Sequence, residues 1–174
     1  MRVMTNRRYF QDDMPENTCF GCGDNNRQGL RIKSYWQGDI ARCDWQPQDY
    51  HQGWAGLTCG GVIATAIDCH CIATAMATAY RNEGRAMDSR PWYLFATGSI
   101  NIRYLLPSSV KQALRLEAHV TAIKYEKKYS LQCDVYAGGE KTAEAQVVAL
   151  LVYRSDRPDE VPAGFVINKE SINK

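Results

Sequence analysis

One long apolar run constrains this chain more than any other feature. Between Leu57 and Tyr80 it reads LTCGGVIATAIDCHCIATAMATAY. After two glycines come about five helical turns of almost nothing but Val, Ile, Ala, Met, Thr and Cys. A helix apolar on nearly every side is not satisfied by one sheet face. Either a sheet wraps around it, or a second subunit covers what remains. The run is long enough to raise a membrane span, but Asp68 and His70 sit near its middle and it is rich in Ala and Thr, features that are costly or weak in lipid. It reads as a buried core helix, with no membrane partner.

The flanking sequence supplies the sheet. GLRIKSYWQ and DIARCDWQP, on either side of Gly38-Asp39, alternate apolar and polar residues and read as a β-hairpin. Pro47 to Leu57 is a loop broken by Gly53 and Gly56. The helix is expected to end near Asn82 to Gly84, with Gly84 as its C-terminal cap. Four strand-like runs follow: YLFATGSINIRYLL, ALRLEAHVTAIKY, KYSLQCDVYA and KTAEAQVVALLVYR. Consecutive strands with tight turns favour antiparallel pairing. The expected class is α+β, with one helix beside one antiparallel sheet. Residues 1–26 read as a segment packing on the domain, 27–155 as the domain, and 156–174 as a peripheral tail.

The ionised carboxylate of Asp68 in such a helix costs several kcal/mol unless it is hydrogen-bonded or reaches water. It therefore either bonds a local group such as Thr65 and fixes packing, or lines a cleft where partial burial raises its pKa and suits it to general-base work. Gly60 and Gly61 stand where the first helix N–H groups are unpaired and carry the positive end of the dipole. That is a place to polarise a carbonyl and hold an oxyanion, or simply a tight turn. Gly61 and Asp68 lie seven residues apart, roughly 10 Å along a helix. Both must lie within about 3–4 Å of one reacting centre and its water to cooperate. They do not converge within one helix, so cooperation requires a site shared across a homodimer.

Composition excludes other classes. The chain has 174 residues, 45% of them hydrophobic and 23% charged, which suits one soluble domain with a substantial core. A net charge of +2 with scattered Lys and Arg argues against a nucleic-acid partner. Met1 to Met14 is polar and has no apolar segment of a secretory signal. Seven cysteines at irregular spacing make no disulfide framework, so the expected setting is a reducing cytoplasm with free thiols. Cys19-x-x-Cys22 has half the spacing of a zinc site. The other half would come from Cys69, His70 and Cys71, but Cys69 and Cys71 diverge by about 200° on a helix. The expectation is a structural turn and no metal. Cys59, at the helix start, is expected to have a lowered pKa, which opens an acyl-cysteine route, but a packing role is the simpler reading.

Taken together, these residues resemble the hotdog-fold acyl-CoA thioesterases of the phenylacetate-type (PaaI-like) branch. That family carries a His-Gly-Gly turn, an apolar helix and an acid seven residues after the second glycine; Cys59-Gly60-Gly61 and Asp68 match the spacing. CFGCGDNNRQGLRI resembles the segment before the first strand in many members. HQGWAG at His51 to Gly56 resembles the loop before the turn, and TGSINIRYLLP at Thr97 to Pro107 the strand after the helix. The resemblance spans roughly residues 18 to 154. It implies a hotdog fold: a six-stranded antiparallel sheet wrapped around the long central helix, paired into a homodimer with a continuous sheet, possibly a dimer of dimers. It also implies hydrolysis of acyl-CoA, with coenzyme A present only as part of the substrate and no cofactor.

In the resemblance, Asp68 is the catalytic base or nucleophile, Gly61 the oxyanion donor and Thr97 the residue that positions water. Gly60, Cys59, His51, Gly53, Trp54 and Arg103 would form the substrate-binding surroundings, with Arg103 at a subunit edge for the CoA phosphates. Two positions depart from the pattern: Cys59 stands for the turn His, and Gly53 for an Asn or Gln that holds the carbonyl. The alternatives are an acyl-CoA-binding hotdog domain without turnover, or a hotdog dehydratase or hydratase, which pairs a loop His with a helix acid. Trp54, Trp92, Tyr93 and Phe95 either line an aromatic-acyl pocket or pack.

Overall fold

In the computed structural model, residues 7–14 and 17–155 are described; the expected tail at 156–174 lies outside them. The elements are a short 3-10 turn at Phe10–Asp13, then β1 (Tyr35–Gln37), β2 (Ile40–Trp45), α1 (Gly60–Asn82), β3 (Tyr93–Tyr104), β4 (Leu114–Lys124), β5 (Lys128–Ala137) and β6 (Glu140–Arg154). All six strands form one antiparallel sheet in the order β1-β2-β4-β5-β6-β3. The apolar composition of α1 follows from its position. It packs against β3, β4, β5 and β6, and Ile67, Cys71 and Ala75 are sealed among Leu114, Leu116, Leu131 and Val147. It is long and apolar enough to cross a bilayer, yet most of its side chains are buried inside the protein.

The helix stops as the sequence requires. Gly84 has φ +65°, and its N–H donates to Arg81 O at 3.0 Å while the Arg85 N–H donates to Tyr80 O at 3.1 Å. These two bonds form a Schellman motif, and the left-handed residue is the glycine that bears no Cβ penalty.

The first strand is shorter than its alternation predicts. Gly29 to Ser34 does not join the sheet. Arg31 takes φ +56°, and the Leu30 and Ile32 N–H groups donate to Phe20 O and Gly21 O, both at 2.9 Å. The backbone of this stretch is satisfied by the preceding loop, not by a strand. Its apolar side chains still point inward, with Ile32 fully buried. The result straps residues 17–32 over α1.

One irregularity in β3 matters for the site. Thr97 faces Ala149 and Ser99 faces Val148, so Gly98 is an extra residue. A bulge of this kind shifts the alternation by one. Tyr93 and Phe95 point to the helix before it; Ile102 packs on the core and Tyr104 reaches the helix start after it.

Candidate active site

Asp68 lies on the part of α1 that the end of β3 crosses. Its carboxylate is half-buried and accepts a hydrogen bond from Thr97 Oγ1 at 2.5 Å. Burial raises its pKa above the usual carboxylate range, the Thr97 hydrogen bond pulls it back, and the nearby Cys19 thiolate pushes it up further. Of the two sequence readings, the local bond to Thr65 is not made: the Thr65 hydroxyl donates to Gly61 O at 3.0 Å, a back-bond along the helix. Thr97 belongs to the β3 stretch whose outer residues are exposed, so the Asp68–Thr97 pair sits at a surface.

The helix start is built around Cys59, whose carbonyl accepts the first backbone bonds, from Val62 at 3.0 Å and Ile63 at 3.1 Å. The amides of Gly60 and Gly61 therefore precede the helical ladder. A Cβ at Gly61 would meet only Cys59 Sγ, at 3.8 Å, so the space beside that amide is open. Gly60 is covered differently. Tyr104 donates its hydroxyl to Gly60 O at 2.7 Å, and its ring lies 3.5 Å from where a Gly60 Cβ would be. Tyr104 was not among the expected site residues; its signal was the glycine inside β3, which shifts the strand parity.

The other expected residues divide. His51 Nδ1 accepts from the Gln48 N–H at 2.9 Å, and its ring centre lies 5.1 Å from that of Trp45 in a tilted contact and 4.4 Å from that of Tyr50 in an edge-on one. It meets Cys59 through its carbonyl, which accepts the Cys59 N–H at 2.8 Å. Burial lowers its pKa. It braces the loop, and its ring contacts do not bring it to Asp68. Gly53 closes the same loop through its N–H to Leu57 O at 3.0 Å, and a Cβ there would come within 3.3 Å of Cys59 Cα. Trp54 is 83% exposed and free to meet a ligand. Arg103 pairs with Glu144 at 2.9 Å on the surface. Tyr93 and Phe95 pack in the core, Phe95 edge-on to Tyr129 and Tyr93 against Tyr80.

The Cys-x-x-Cys segment ends on the site helix. Cys69, the residue after Asp68, lies with its Sγ 3.7 Å from that of Cys19, and the sulfurs of Cys19, Cys22 and Cys69 all fall within 4.8 Å of one another. The hydrogen bond from the Cys69 thiol lowers the Cys19 pKa to about 5 and drives that of Cys69 up. Sequence reasoning weighed Cys69 beside Cys71 as a pair and missed that Cys69 alone turns toward the loop.

No protein-family model and no curated protein matches the chain. Solved structures do. A thioesterase superfamily protein from Shewanella loihica PV-4 is similar at 28% identity, over 70% of this chain and 91% of that one, with a TM-score of 0.57. The chain has a PaaI-like hotdog fold. The E. coli PaaI protein of the phenylacetic acid degradation operon shares this hotdog fold at 10% identity, over 72% of this chain and 82% of that one, with a TM-score of 0.58. So does a hypothetical thioesterase from Streptococcus pneumoniae TIGR4, solved with coenzyme A, at 10% identity over 71% and 90% of the two chains, with a TM-score of 0.57. The wrapped sheet expected from the sequence is the one observed.

Proposed function

We propose that the protein hydrolyses an acyl-CoA thioester to a free acid and coenzyme A. The observation that carries this reading is the Asp68–Thr97 pair: a half-buried carboxylate of raised pKa, held by a hydroxyl, on the helix of a hotdog fold. Asp68 takes a proton from water as the water oxygen attacks the thioester carbonyl carbon. The carbonyl oxygen becomes an oxyanion held by the Gly61 N–H. Collapse breaks the C–S bond, and the coenzyme A thiolate leaves with the proton. Thr97 fixes the carboxylate directly and leaves the second carboxylate oxygen for the water. The similar fold solved with coenzyme A supports a CoA ester as the ligand.

The reading includes a homodimer. Gly61 and Asp68 stay roughly 10 Å apart along α1, so the acid of one chain works with Gly61 of the partner subunit. Among the described residues β3 pairs only with β6, and its outer half exposes Ile100 and Tyr104 just before Leu105 and Leu106. A long unpaired edge that carries such apolar side chains among its polar ones is one that a second copy would cover. Within one chain His51 bonds Gln48 and Asp68 bonds Thr97, so a dehydratase-type His–acid pair would also have to form between two chains.

The test is free-thiol release from short, long and aromatic acyl-CoAs, by wild type and Asp68→Asn. Release that the substitution reduces by a factor of about 100 or more, the size of a lost general base, is expected. Binding of CoA esters without release from any of them would move the assignment to a binding domain.

A further inference from the structure

We propose that Cys19, Cys22 and Cys69 form a zinc site that clamps the N-terminal loop to α1 beside Asp68. Three sulfurs from two distant parts of the chain converge within 4.8 Å, and they are the one such group of metal-ligating side chains among the described residues. In a tetrahedral site with zinc–sulfur bonds of about 2.3 Å, neighbouring sulfurs stand about 3.8 Å apart. Cys19 and Cys69 already stand at 3.7 Å. The remaining separations close by small rotations of side chains in a loop.

The loop is shaped for a bound sulfur. The backbone N–H groups of Gly21 and Cys22 are aimed at the Cys19 sulfur. Asn17 Nδ2 lies 3.3 Å from the Cys22 sulfur, and Asn17 Oδ1 accepts the Cys19 N–H at 2.9 Å. The Gly23 N–H closes the turn on Cys19 O at 2.9 Å. Two glycines are demanded by this packing. A Cβ at Gly21 would sit 2.1 Å from Cys69 Sγ, and one at Gly23 would sit 2.5 Å from both Asn17 O and Cys19 N. These outer donors do what a zinc site needs of them: they orient the ligands and offset negative charge on sulfur.

Binding converts whichever of the three groups are thiols to thiolates and releases their protons to water. Three thiolates and one zinc ion carry a net charge of −1, which the surrounding N–H groups face. Three protein ligands leave the fourth position to water on the side where Cys19 is exposed. A disulfide between Cys19 and Cys69 is the competing use of the same atoms. It would need an oxidant and would leave Cys22 and the N–H groups around it without purpose. The expectation of no metal rests on Cys69 and Cys71 taken together; the proposed site uses Cys69 without Cys71, which meets Cys133 in the core.

The test uses the full chain purified under a reducing agent from zinc-supplemented culture. Elemental analysis is expected to find zinc near stoichiometry in wild type and in Cys71→Ala. Cobalt(II) exchange is expected to produce thiolate-to-metal charge-transfer absorption. Cys19→Ser and Cys22→Ser should weaken zinc, in competition with a chromophoric chelator, by more than the roughly tenfold to hundredfold typical of losing an outer partner. Cys69→Ser alters a buried position, so the exposed Cys19→Ser carries the test, with circular dichroism to show an intact fold. Substoichiometric zinc with no cobalt charge transfer overturns the proposal. So does a mass two hydrogens lower with Cys19 and Cys69 joined, which would assign the cluster to a disulfide.

Discussion

Asp68 is held between opposing influences: burial raises its pKa and the Thr97 hydroxyl lowers it. Removing the hydroxyl removes only the second. Thr97→Val is therefore expected to move the acid limb of kcat/KM to higher pH, while activity on the alkaline side falls less than in Asp68→Asn. The pH–rate profile reads this directly, and an unmoved acid limb would detach Thr97 from the titrating group. His70 makes a separate prediction. It is fully buried, with Nδ1 2.8 Å from Ser34 Oγ. Burial lowers its pKa to about 4, from the ordinary 6.5. The unfolded chain thus takes up a proton as pH falls through 6.5, while the native state does not until about 4. The stability present above pH 6.5 is lost across that window by about 1.4 kcal/mol per unit, roughly 2 kcal/mol by pH 5. Denaturant unfolding at pH 7.5 and pH 5 should show this loss in wild type and a smaller one in His70→Gln.

The elements of this protein were legible to different degrees. α1 was readable to within a residue because its apolar run is long, starts at paired glycines and ends at Gly84. β5 alternates along its whole length, and β4 does so in its first half. β1 was over-read because Gly29 to Ser34 keeps an alternating pattern while its backbone bonds to the loop at Phe20 and Gly21. Long-range partners of this sort leave no local signature. Asp68 and the glycine turn were legible from spacing, but Tyr104 and the convergence of Cys69 on the N-terminal loop were not. The first depends on the Gly98 bulge and the second on which way one helical side chain turns. A valine at Gly98 tests the bulge. Its Cβ would stand 3.0 Å from Leu150 Cδ1 and 3.3 Å from Val148 O. Gly98→Val is expected to cost about 1–3 kcal/mol, the range for overpacking, measured by denaturant unfolding. Thioester hydrolysis should fall with it, because Thr97 is aimed by the same bulge.

For the molecule as a whole, the decisive length is the separation of Gly61 from Asp68. A rigid helix keeps them roughly 10 Å apart in every conformation of one chain, so the chemistry proposed for them belongs to two chains. Complementation between inactive variants reads this geometry. Asp68→Asn lacks the base, and Gly61→Val places a branched side chain in the open space beside the amide. Each homodimer is expected to be inactive. A mixed dimer has one site with both defects and one with neither, since the intact acid and the intact glycine come from different chains. Random pairing of equal amounts makes half of the dimers mixed, so co-refolded protein should recover roughly a quarter of wild-type activity. A site contained within one chain would recover nothing on mixing, because every chain would carry a defect. Recovery that appears only after co-refolding, and not when the folded variants are briefly combined, would further show that the pairing is stable on the timescale of turnover.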